Sequence, residues 1–373
     1  MTGTMIQDRT QQQQQQQQHP QHQQRNTQQD QSDVAHHGPV TPERIMQLAW
    51  GYTAPLIIEV ALKHKVFDVL DTAGNGGLMV EQLAQRTGTS VRGLRMILDA
   101  LVGLQFLAKD AQQRYTLTPE SANFLVSTKP TFQGGIYRHI STQLMPKWIH
   151  LSEIVRTGKP VESVNREERA EFFEQLVEDI FPMSYPAAQV LAKELKVGEK
   201  STVRVLDLAT GSGVWGIALA QANPKAVVTA VDWERVLKVT RRLAEKHGVG
   251  GQFNCVAGDI LEVDLGKNHD VATLGHILHS EGEPRSRTLI QRVFAALAPG
   301  GTIAIAEWLP NEHRTAPPNA LIFAVNMLVN TDNGDTFTFN EIGAWLREAG
   351  FKDVRMLDAP GPSPLILATK PAA

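Results

Sequence analysis

Two side chains in the C-terminal half of the chain are suited to move a proton. His279 follows an apolar run at 270–274 and Glu307 ends another at 302–307, and each run predicts a buried strand. Imidazole is well suited to accept a proton at neutral pH, and a nearby carboxylate can orient the ring and stabilise its cation. The pair predicts general-base catalysis. A structural or substrate-binding His279 is the alternative. His276 is a weaker candidate, because it would point to the other side of an extended segment.

A glycine-rich segment is suited to hold a ligand against the backbone. Gly211, Gly213 and Gly216 follow a predicted strand at 203–208 and lead into a predicted helix at 217–222. Glycine permits tight turns and close approach to a ligand, and the start of the helix offers unpaired N–H groups. The G-x-G-x-x-G spacing alone is also that of a dinucleotide site.

Three acidic residues narrow the class of ligand. Asp207 precedes the first glycine by four positions, where it can accept hydrogen bonds from an ammonium group. Asp232 ends the next predicted strand, 227–232, where such an acid binds ribose hydroxyls. Gly258 and Asp259 end a third strand, 252–257, although Gly-Asp is also a common turn. Together they fit a nucleoside that carries a zwitterionic amino acid.

These motifs resemble those of the S-adenosylmethionine (SAM) dependent methyltransferases, and residues 41–372 resemble the small-molecule O-methyltransferases. The resemblance implies methyl transfer to a hydroxyl oxygen of an aromatic, quinone or polyketide-like acceptor, without a metal. It implies that His279 and Glu307 are catalytic and that Asp259 meets the adenine amino group. It also implies a set of cofactor-binding residues: Asp207, Gly211, Gly213, Asp232, Trp233, Gly258, Asp259 and Ile260.

The chain departs from the family pattern near the predicted base. Ser280-Glu281 stands where the family usually has Asp-Trp, and Gly275 where it often has a cofactor-contacting Lys. Thr336 takes the position of the family's second carboxylate, with Asp335 beside it. These differences leave two alternatives open: a SAM-binding protein with decarboxylating, hydroxylating or pericyclic chemistry, or a SAM-sensing, DNA-binding regulator.

The acceptor site is expected where the chain is rich in aromatic residues and methionine. Residues 131–195 are predicted to form a helical bridge whose side chains make a substrate wall, since such residues line pockets as well as cores. Met183 and Tyr185 stand where the family usually places pocket residues. Asn326, Met327 and Asn330 lie on a predicted helix, 318–330, as further substrate contacts.

The order of elements predicts an α/β fold for residues 196–373. Strands alternate with helices, as in a Rossmann-like doubly wound parallel sheet. The last two strands, near 354–357 and 364–370, are joined by too few residues for a crossover helix, so they must pair antiparallel. A terminal antiparallel hairpin favours a methyltransferase domain over a nicotinamide dehydrogenase.

Residues 41–130 have the pattern of a winged helix. A helical segment at 45–70, helices at 79–86 and 91–104, and strands at 106–110 and 114–118 follow in order. The stretch resembles the dimerisation domain of the small-molecule O-methyltransferases, which implies a homodimer. DNA binding is the alternative, but Asp99 and Asp110 offset the few cationic side chains of the helix and wing.

Composition excludes several classes of protein. Lys plus Arg (36) nearly balances Asp plus Glu (39) in 373 residues, so no basic excess favours nucleic acid. The single cysteine cannot form an internal disulfide. We expect no membrane span and no secretory signal, hence a cytoplasmic protein. Residues 1–40, rich in Gln and His, are predicted to be a disordered tail.

Overall fold

The computed structural model describes residues 40–372, so the predicted tail lies outside the described residues except for Val40. The predicted helical segment 45–70 is three helices rather than one. Trp50, Gly51 and Tyr52 form a turn, and Lys65 adopts a left-handed conformation with φ of 56°. The helices are α1 (Glu43–Ala49), α2 (Thr53–Lys63) and α3 (Val66–Ala73).

The winged-helix prediction is confirmed. Ser90 caps the second short helix by accepting the Gly93 N–H at 3.1 Å, and Leu94, Leu98 and Leu101 bury its apolar stripe. The wing pairs antiparallel, with Leu107 opposite Leu117. These elements are α4 (Val80–Thr87), α5 (Val91–Gly103), β1 (Leu107–Lys109) and β2 (Tyr115–Leu117).

A helical segment connects the winged helix to the large sheet, as predicted. Residues 140–144 form a π-helical turn, a feature that often accompanies functional sites. From Glu43 onward the chain packs as one compact unit, so the expected boundaries near 130 and 195 stay predictions. The helices are α6 (Pro119–Phe124), α7 (Gly135–His139), α8 (Met145–Trp148), α9 (Leu151–Thr157), α10 (Glu171–Asp179) and α11 (Phe181–Glu194).

A seven-stranded sheet forms the C-terminal part, with strand order β5-β4-β3-β6-β7-β9-β8. The first five strands in that order run parallel, whereas β9 is antiparallel to both β7 and β8. The topology confirms the predicted doubly wound sheet with an antiparallel hairpin. The strands are β3 (Val203–Leu208), β4 (Ala226–Asp232), β5 (Phe253–Ala257), β6 (His269–Gly275), β7 (Leu297–Ala306), β8 (Lys352–Leu357) and β9 (Leu365–Thr369).

Apolar side chains alternate between the two faces of this sheet. Val205 and Val228 pack with α11, α12 and α13, while Leu206 and Ile303 pack with α14 and α16 on the opposite face. Helices on both faces explain why the central strands β3 and β6 are buried along most of their length. The helices are α12 (Val214–Ala222), α13 (Glu234–Lys246), α14 (Leu278–Ala296), α15 (Pro318–Asn330) and α16 (Phe339–Glu348).

The winding of the sheet changes direction between β3 and β6. The chain moves outward from β3 through β4 to β5, then returns to the other side of β3. Ligands of doubly wound sheets bind outside the carboxyl ends of the strands at such a switch point. The glycine loop after β3, Asp232 at the end of β4 and His279 after β6 all lie at this edge.

We expected no stretch of the chain to be suited to span a membrane, but the segment Glu43–Lys63 is long and apolar enough to do so. Among the described residues it is the one segment whose length and apolar composition suffice, and only 11% of it is buried. The structure divides it into α1 and α2 at the turn 50–52. Ile45, Leu48 and Trp50 are 72%, 72% and 64% exposed, so the residues from 40 to 372 leave an apolar surface uncovered here.

Candidate active site

A cavity of about 680 Å³ opens at the carboxyl edge of the sheet beneath the connecting helices. Its walls come from the loops after β3, β4, β5 and β6, from α10, α11 and α15, and from residues 163–167. Most of the predicted site residues line it: Gly211, Asp232, Trp233, Gly258, Asp259, Ile260, His279, Met183, Asn326, Met327 and Asn330. The predicted cofactor and acceptor residues therefore share one space.

The glycine loop is shaped by backbone conformations that favour glycine. Gly211 and Gly213 have φ of 56° and 77°. Gly211 lines the cavity, but Gly213 lies beneath the loop, where a Cβ would be 3.0 Å from Thr240. A Cβ on Gly216 would lie 2.9 Å from Val228, so that glycine lets α12 pack against the sheet. Gly213 is therefore a loop-forming residue rather than the predicted cofactor contact.

Asp207 lies under the loop and does not reach the cavity. Its carboxylate accepts hydrogen bonds from the Thr210 and Thr273 hydroxyls, both at 2.7 Å, and from the Gly216 N–H at 3.1 Å. Burial raises its pKa to about 6. In this structure Asp207 therefore holds the loop in place, and its direct contact with an ammonium group stays a prediction.

Asp232, by contrast, faces the cavity with acceptor capacity to spare. Its oxygens accept the backbone N–H groups of Gly211 at 2.9 Å and Trp233 at 2.7 Å. A carboxylate has about four lone-pair sites, so two hydroxyl donors can still bind. Desolvation raises the pKa of Asp232 to about 6, and hydroxyl donors would stabilise its charged form. The geometry suits a ribose diol.

The segment after β5 supplies a polar and an apolar group. Gly258, with φ of 141°, and Ile260, which is buried, both line the cavity. The Asp259 carboxylate accepts the Leu261 N–H at 2.7 Å and contacts Arg285 Nη2 at 3.0 Å through both oxygens. Asp259 is therefore held in one orientation at the cavity wall.

His279 and Glu307 form a buried hydrogen-bonded pair. Nδ1 of His279 lies 2.7 Å from one Glu307 oxygen, and the His279 backbone N–H donates to the other at 3.2 Å. Burial alone would raise the pKa of Glu307, but the charge and hydrogen bonds of His279 outweigh burial and lower it. The ionised carboxylate accepts a hydrogen bond from Nδ1–H, which leaves Nε2 as the basic nitrogen.

His276 is closer to His279 than the sequence predicted. The chain leaves the extended conformation after Gly275, and His276 has φ of 60°, so the two imidazoles are neighbours with centroids 6.4 Å apart. His276 also lines the cavity. Desolvation lowers its pKa to about 4, and its Nε2 is 2.8 Å from the Ser363 hydroxyl. His276 is therefore a weak base, although it lies in the cavity beside His279.

The structure shows what surrounds two positions where the chain departs from the family pattern, Asp335 beside Thr336 and Gly275. The Asp335 carboxylate lies 3.8 Å from Arg314, whereas its backbone N–H donates to the His279 carbonyl at 2.9 Å. Asp335 therefore does not replace a second carboxylate at the imidazole. A Cβ on Gly275 would lie 1.9 Å from the Trp215 indole nitrogen, so that indole occupies the place where a larger side chain would begin.

The acceptor side of the cavity combines an apolar surface with two amides. Trp148 Nε1 donates to Asn326 Oδ1 at 3.0 Å, and Asn330 Nδ2 donates to the same oxygen at 3.1 Å. Met183 and Met327 line the cavity as predicted. Tyr185 does not, because it lies on the far side of α11, where its hydroxyl donates to Gln221 Oε1 at 2.5 Å. The structure therefore does not bring Tyr185 to the cavity with the other predicted substrate contacts.

Sequence reasoning missed several cavity residues, among them Phe323, Trp308 and Arg285. Phe323 meets the His279 ring edge-on at 4.9 Å and stacks on Trp308 at 4.9 Å. Arg285 reaches the cavity from α14. Only the spacing of Arg285 from Glu281, four residues along a helix, signalled an ion pair.

The fold and the site define the class of protein. A glycine loop, an acid after the second strand and Gly-Asp after the third face one cavity in a doubly wound sheet with an antiparallel hairpin. This is the arrangement of a class I SAM-dependent methyltransferase. The backbone of Gly211 and the free acceptor sites of Asp232 fit that cofactor.

Comparison with known proteins identifies the family. The O-methyltransferase dimerisation domain matches residues 46–127, and the O-methyltransferase domain matches residues 162–352. The chain belongs to the O-methyltransferase family and is a SAM-dependent O-methyltransferase. The predicted family, enzyme class and cofactor are confirmed.

Individual relatives agree with this assignment. The chain is 29% identical to the 3-hydroxy-5-methyl-1-naphthoate 3-O-methyltransferase of Streptomyces sahachiroi, over 88% of this chain and 95% of that protein. It is 30% identical to the tetracenomycin polyketide synthesis 8-O-methyl transferase TcmO of Streptomyces glaucescens, over 88% and 97%. Human N-acetylserotonin methyltransferase in complex with SAM shares the fold, with a TM-score of 0.77, 23% identity and coverage of 90% and 99%.

Proposed function

We propose that this enzyme methylates a hydroxyl oxygen of a small aromatic or polyketide-like acceptor, with His279 as the general base. The observation that carries the proposal is the buried contact of 2.7 Å between His279 Nδ1 and Glu307, because His279 lines the same cavity as Asp232 and the glycine loop. The pair that can take a proton and the residues that can hold the cofactor are thus next to each other.

The cofactor would be held by the edge of the sheet. The Asp232 carboxylate would accept hydrogen bonds from the ribose hydroxyls, and Asp259 would accept one from the adenine amino group. Trp233 and Ile260 would pack against apolar parts of the nucleoside. Asp207 would act indirectly by fixing the loop. When bound, SAM supplies an electrophilic methyl group on a sulfonium sulphur.

The chain's own contribution to chemistry is alignment and proton transfer. His279 Nε2 would accept the hydroxyl proton of the acceptor, and Glu307 would stabilise the imidazolium and keep the ring in one orientation. Proton transfer of this kind contributes about 10²–10⁴-fold, and alignment of two bound reactants contributes more.

The acceptor wall indicates a largely apolar, planar substrate. Phe323, Trp308 and Met327 offer aromatic and thioether surface beside the imidazole, and Asn326 adds an amide. The relatives named above act on a naphthoate and in tetracenomycin polyketide synthesis, which are substrates of this kind.

The proposal is tested with purified enzyme, SAM and a panel of phenols, naphthols and hydroxylated polyketides. S-adenosylhomocysteine (SAH) release and mass spectrometry of the product locate the methyl group. We expect methylation of at least one acceptor on oxygen, and no turnover of the matched analogue in which that hydroxyl is replaced by hydrogen. SAH release that persists with the deoxy analogue would contradict the proposal.

We further propose that the enzyme is a homodimer formed through the N-terminal domain. The matched dimerisation domain and the exposed apolar side chains of α1 and the turn after it support this. Binding of DNA by the winged helix is not favoured, because Asp99 pairs with both Arg95 at 3.1 Å and Lys109 at 2.9 Å. A cytoplasmic location stays a prediction.

A further inference from the structure

Four polar side chains cross the cavity wall between the predicted adenine site and the turn after His279. Asn165 Nδ2 donates to Glu281 Oε1 at 3.0 Å and to the Ser280 carbonyl at 3.2 Å. The other Glu281 oxygen accepts Arg285 Nε, and Arg285 Nη2 lies 3.0 Å from both Asp259 oxygens. One continuous network therefore joins Asn165, Glu281, Arg285 and Asp259.

Burial fixes the middle of this network. The Glu281 side chain is 4% exposed, so its carboxylate needs the partners it has, and removing one would leave a buried charge unpaired. The guanidinium is planar with donors in fixed directions, so a guanidinium held at Nε by Glu281 presents Nη2 in one direction. The Asp259 side chain is 34% exposed, and without Arg285 it would keep the hydrogen bond from the Leu261 N–H to Oδ1 but have no described partner at Oδ2.

We propose that Arg285, seated by Glu281, is a positioning residue that orients the Asp259 carboxylate toward the adenine amino group of SAM. The proposal rests on the proposed function, which gives Asp259 that contact. Arg285 acts through Asp259 and need not touch the cofactor. Glu281 lies in the Ser280-Glu281 pair that departs from the family pattern, and the network gives this departure a role in this chain.

The test compares two ligands that differ at one position of the base. SAH carries a 6-amino group that donates to a carboxylate, and S-inosylhomocysteine carries a 6-oxo group that does not. Calorimetric titration of both ligands gives their dissociation constants for the wild type, for Arg285→Lys and for Arg287→Lys. Lysine keeps the charge but cannot contact Glu281 and Asp259 in the same geometry. Arg287 is the control, since it lies on the same helix and pairs with Glu283 and Glu348 away from the cavity.

The wild type and Arg287→Lys should prefer SAH by about 10- to 100-fold, the worth of a hydrogen bond to a charged group. Arg285→Lys should reduce that preference to about threefold or less, since only the Leu261 N–H then holds the Asp259 carboxylate. A preference in Arg285→Lys equal to that of the wild type overturns the proposal, even if both ligands bind more weakly.

Two further results separate this inference from the proposed function. A wild type that binds SAH without preferring it to S-inosylhomocysteine overturns the inference and leaves the methyltransferase assignment intact. A wild type that binds neither ligand contradicts the proposed function itself. If Arg285→Lys does not fold, Glu281→Gln gives the same test, because it removes the charge that seats the guanidinium. A reduced preference in that variant supports the proposal, and an unchanged one overturns it.

Discussion

At the scale of single residues, the orientation of His279 depends on the buried carboxylate of Glu307. Glu307 accepts two hydrogen bonds from one residue, the backbone N–H and the ring Nδ1 of His279. Because the backbone contact fixes the position of residue 279 and the ring contact fixes its orientation, the imidazole has little freedom. The buried charge on Glu307 is compensated only when His279 is in place.

Replacing Glu307 by glutamine should slow the reaction without affecting cofactor binding. The amide keeps the shape and can accept one hydrogen bond, but it carries no charge to stabilise an imidazolium. We expect kcat to fall by about 10- to 1,000-fold. SAH affinity from calorimetry should match that of the wild type, since Glu307 does not line the cavity. A variant with wild-type kcat would show that the carboxylate only supports the fold.

Cofactor affinity should depend on pH through Asp232. Its pKa in the free protein is raised to about 6 by desolvation, and the charged form is the one that accepts hydroxyl donors. Binding is therefore strong above pH 6 and weakens as the pH falls through 6, by about tenfold per unit below it. Titration of SAH between pH 5 and 8 measures this. Asp232→Asn should bind weakly with a flatter profile, and an equally steep profile in that variant would assign the effect to another group.

Residue type and position at a strand end predicted much of the site, but not the direction of each side chain. Asp232 and Glu307 follow straight strands, and their neighbourhood could be predicted. Asp207 and Tyr185 do not line the cavity, because tertiary packing decides which side of a loop or helix a side chain faces. The proximity of His276 to His279 depends on the left-handed conformation of His276, which no local sequence pattern predicted.

At the scale of elements, a break in α14 positions the base. Gly282 has φ of 72° and ψ of 167°, a conformation open essentially only to glycine, and helical geometry resumes after it. Its backbone approaches Asn333 so closely that a Cβ would lie 2.5 Å from the Asn333 carbonyl oxygen. The break lets residues 278–281 turn His279 toward Glu307 while the rest of α14 packs on the sheet.

Gly282→Ala should destabilise the protein by about 3 kcal/mol, from backbone strain and steric overlap together. Gly103→Ala, near the end of α5, is the matched control. A Cβ there meets nothing within 4 Å, so its effect should be within about 0.5 kcal/mol. Urea unfolding monitored by circular dichroism measures both. Equal stabilities of the two variants would show that the loop at 333 moves aside freely.

Strand order and the terminal hairpin could be predicted from the sequence, since alternating elements and a short connection leave few topologies. The division of residues 45–70 into three helices could not. Its apolar spacing suits one helix; Gly51 in the first break and Pro55 in the first turn of α2 are local signals, but no glycine or proline stands at His64 or Lys65 to mark the second break. Similarly, Pro284 marks the start of the regular part of α14, but the helical turn before Gly282 gave no signal.

At the scale of the whole molecule, no residue that the structure describes covers the apolar surface of α1. Ile45, Met46 and Leu48 are more than half exposed, and no residue of α1 is buried. A surface of this kind marks an interaction site, and the matched dimerisation domain gives the occupant proposed here, a second copy of the chain.

Leu48→Asp should convert a dimer to a monomer. A charge at an apolar interface is desolvated without a partner, whereas in the single chain Leu48 is 72% exposed and its replacement leaves the core intact. Light scattering coupled to size exclusion should give twice the mass of one chain for the wild type and the mass of one chain for the variant. Met356→Asp, exposed on the edge strand β8, should stay dimeric. A monomeric wild type would contradict the proposal.

The central claim, that His279 is the base, is tested most directly by single-turnover kinetics of His279→Ala beside calorimetric SAH binding. We predict a rate at least about a hundredfold lower, with SAH affinity within about threefold of the wild type. His313→Ala, exposed and outside the cavity, should react at the wild-type rate. A His279→Ala variant that turns over at the wild-type rate, or a loss of turnover in His276→Ala alone, would contradict the account.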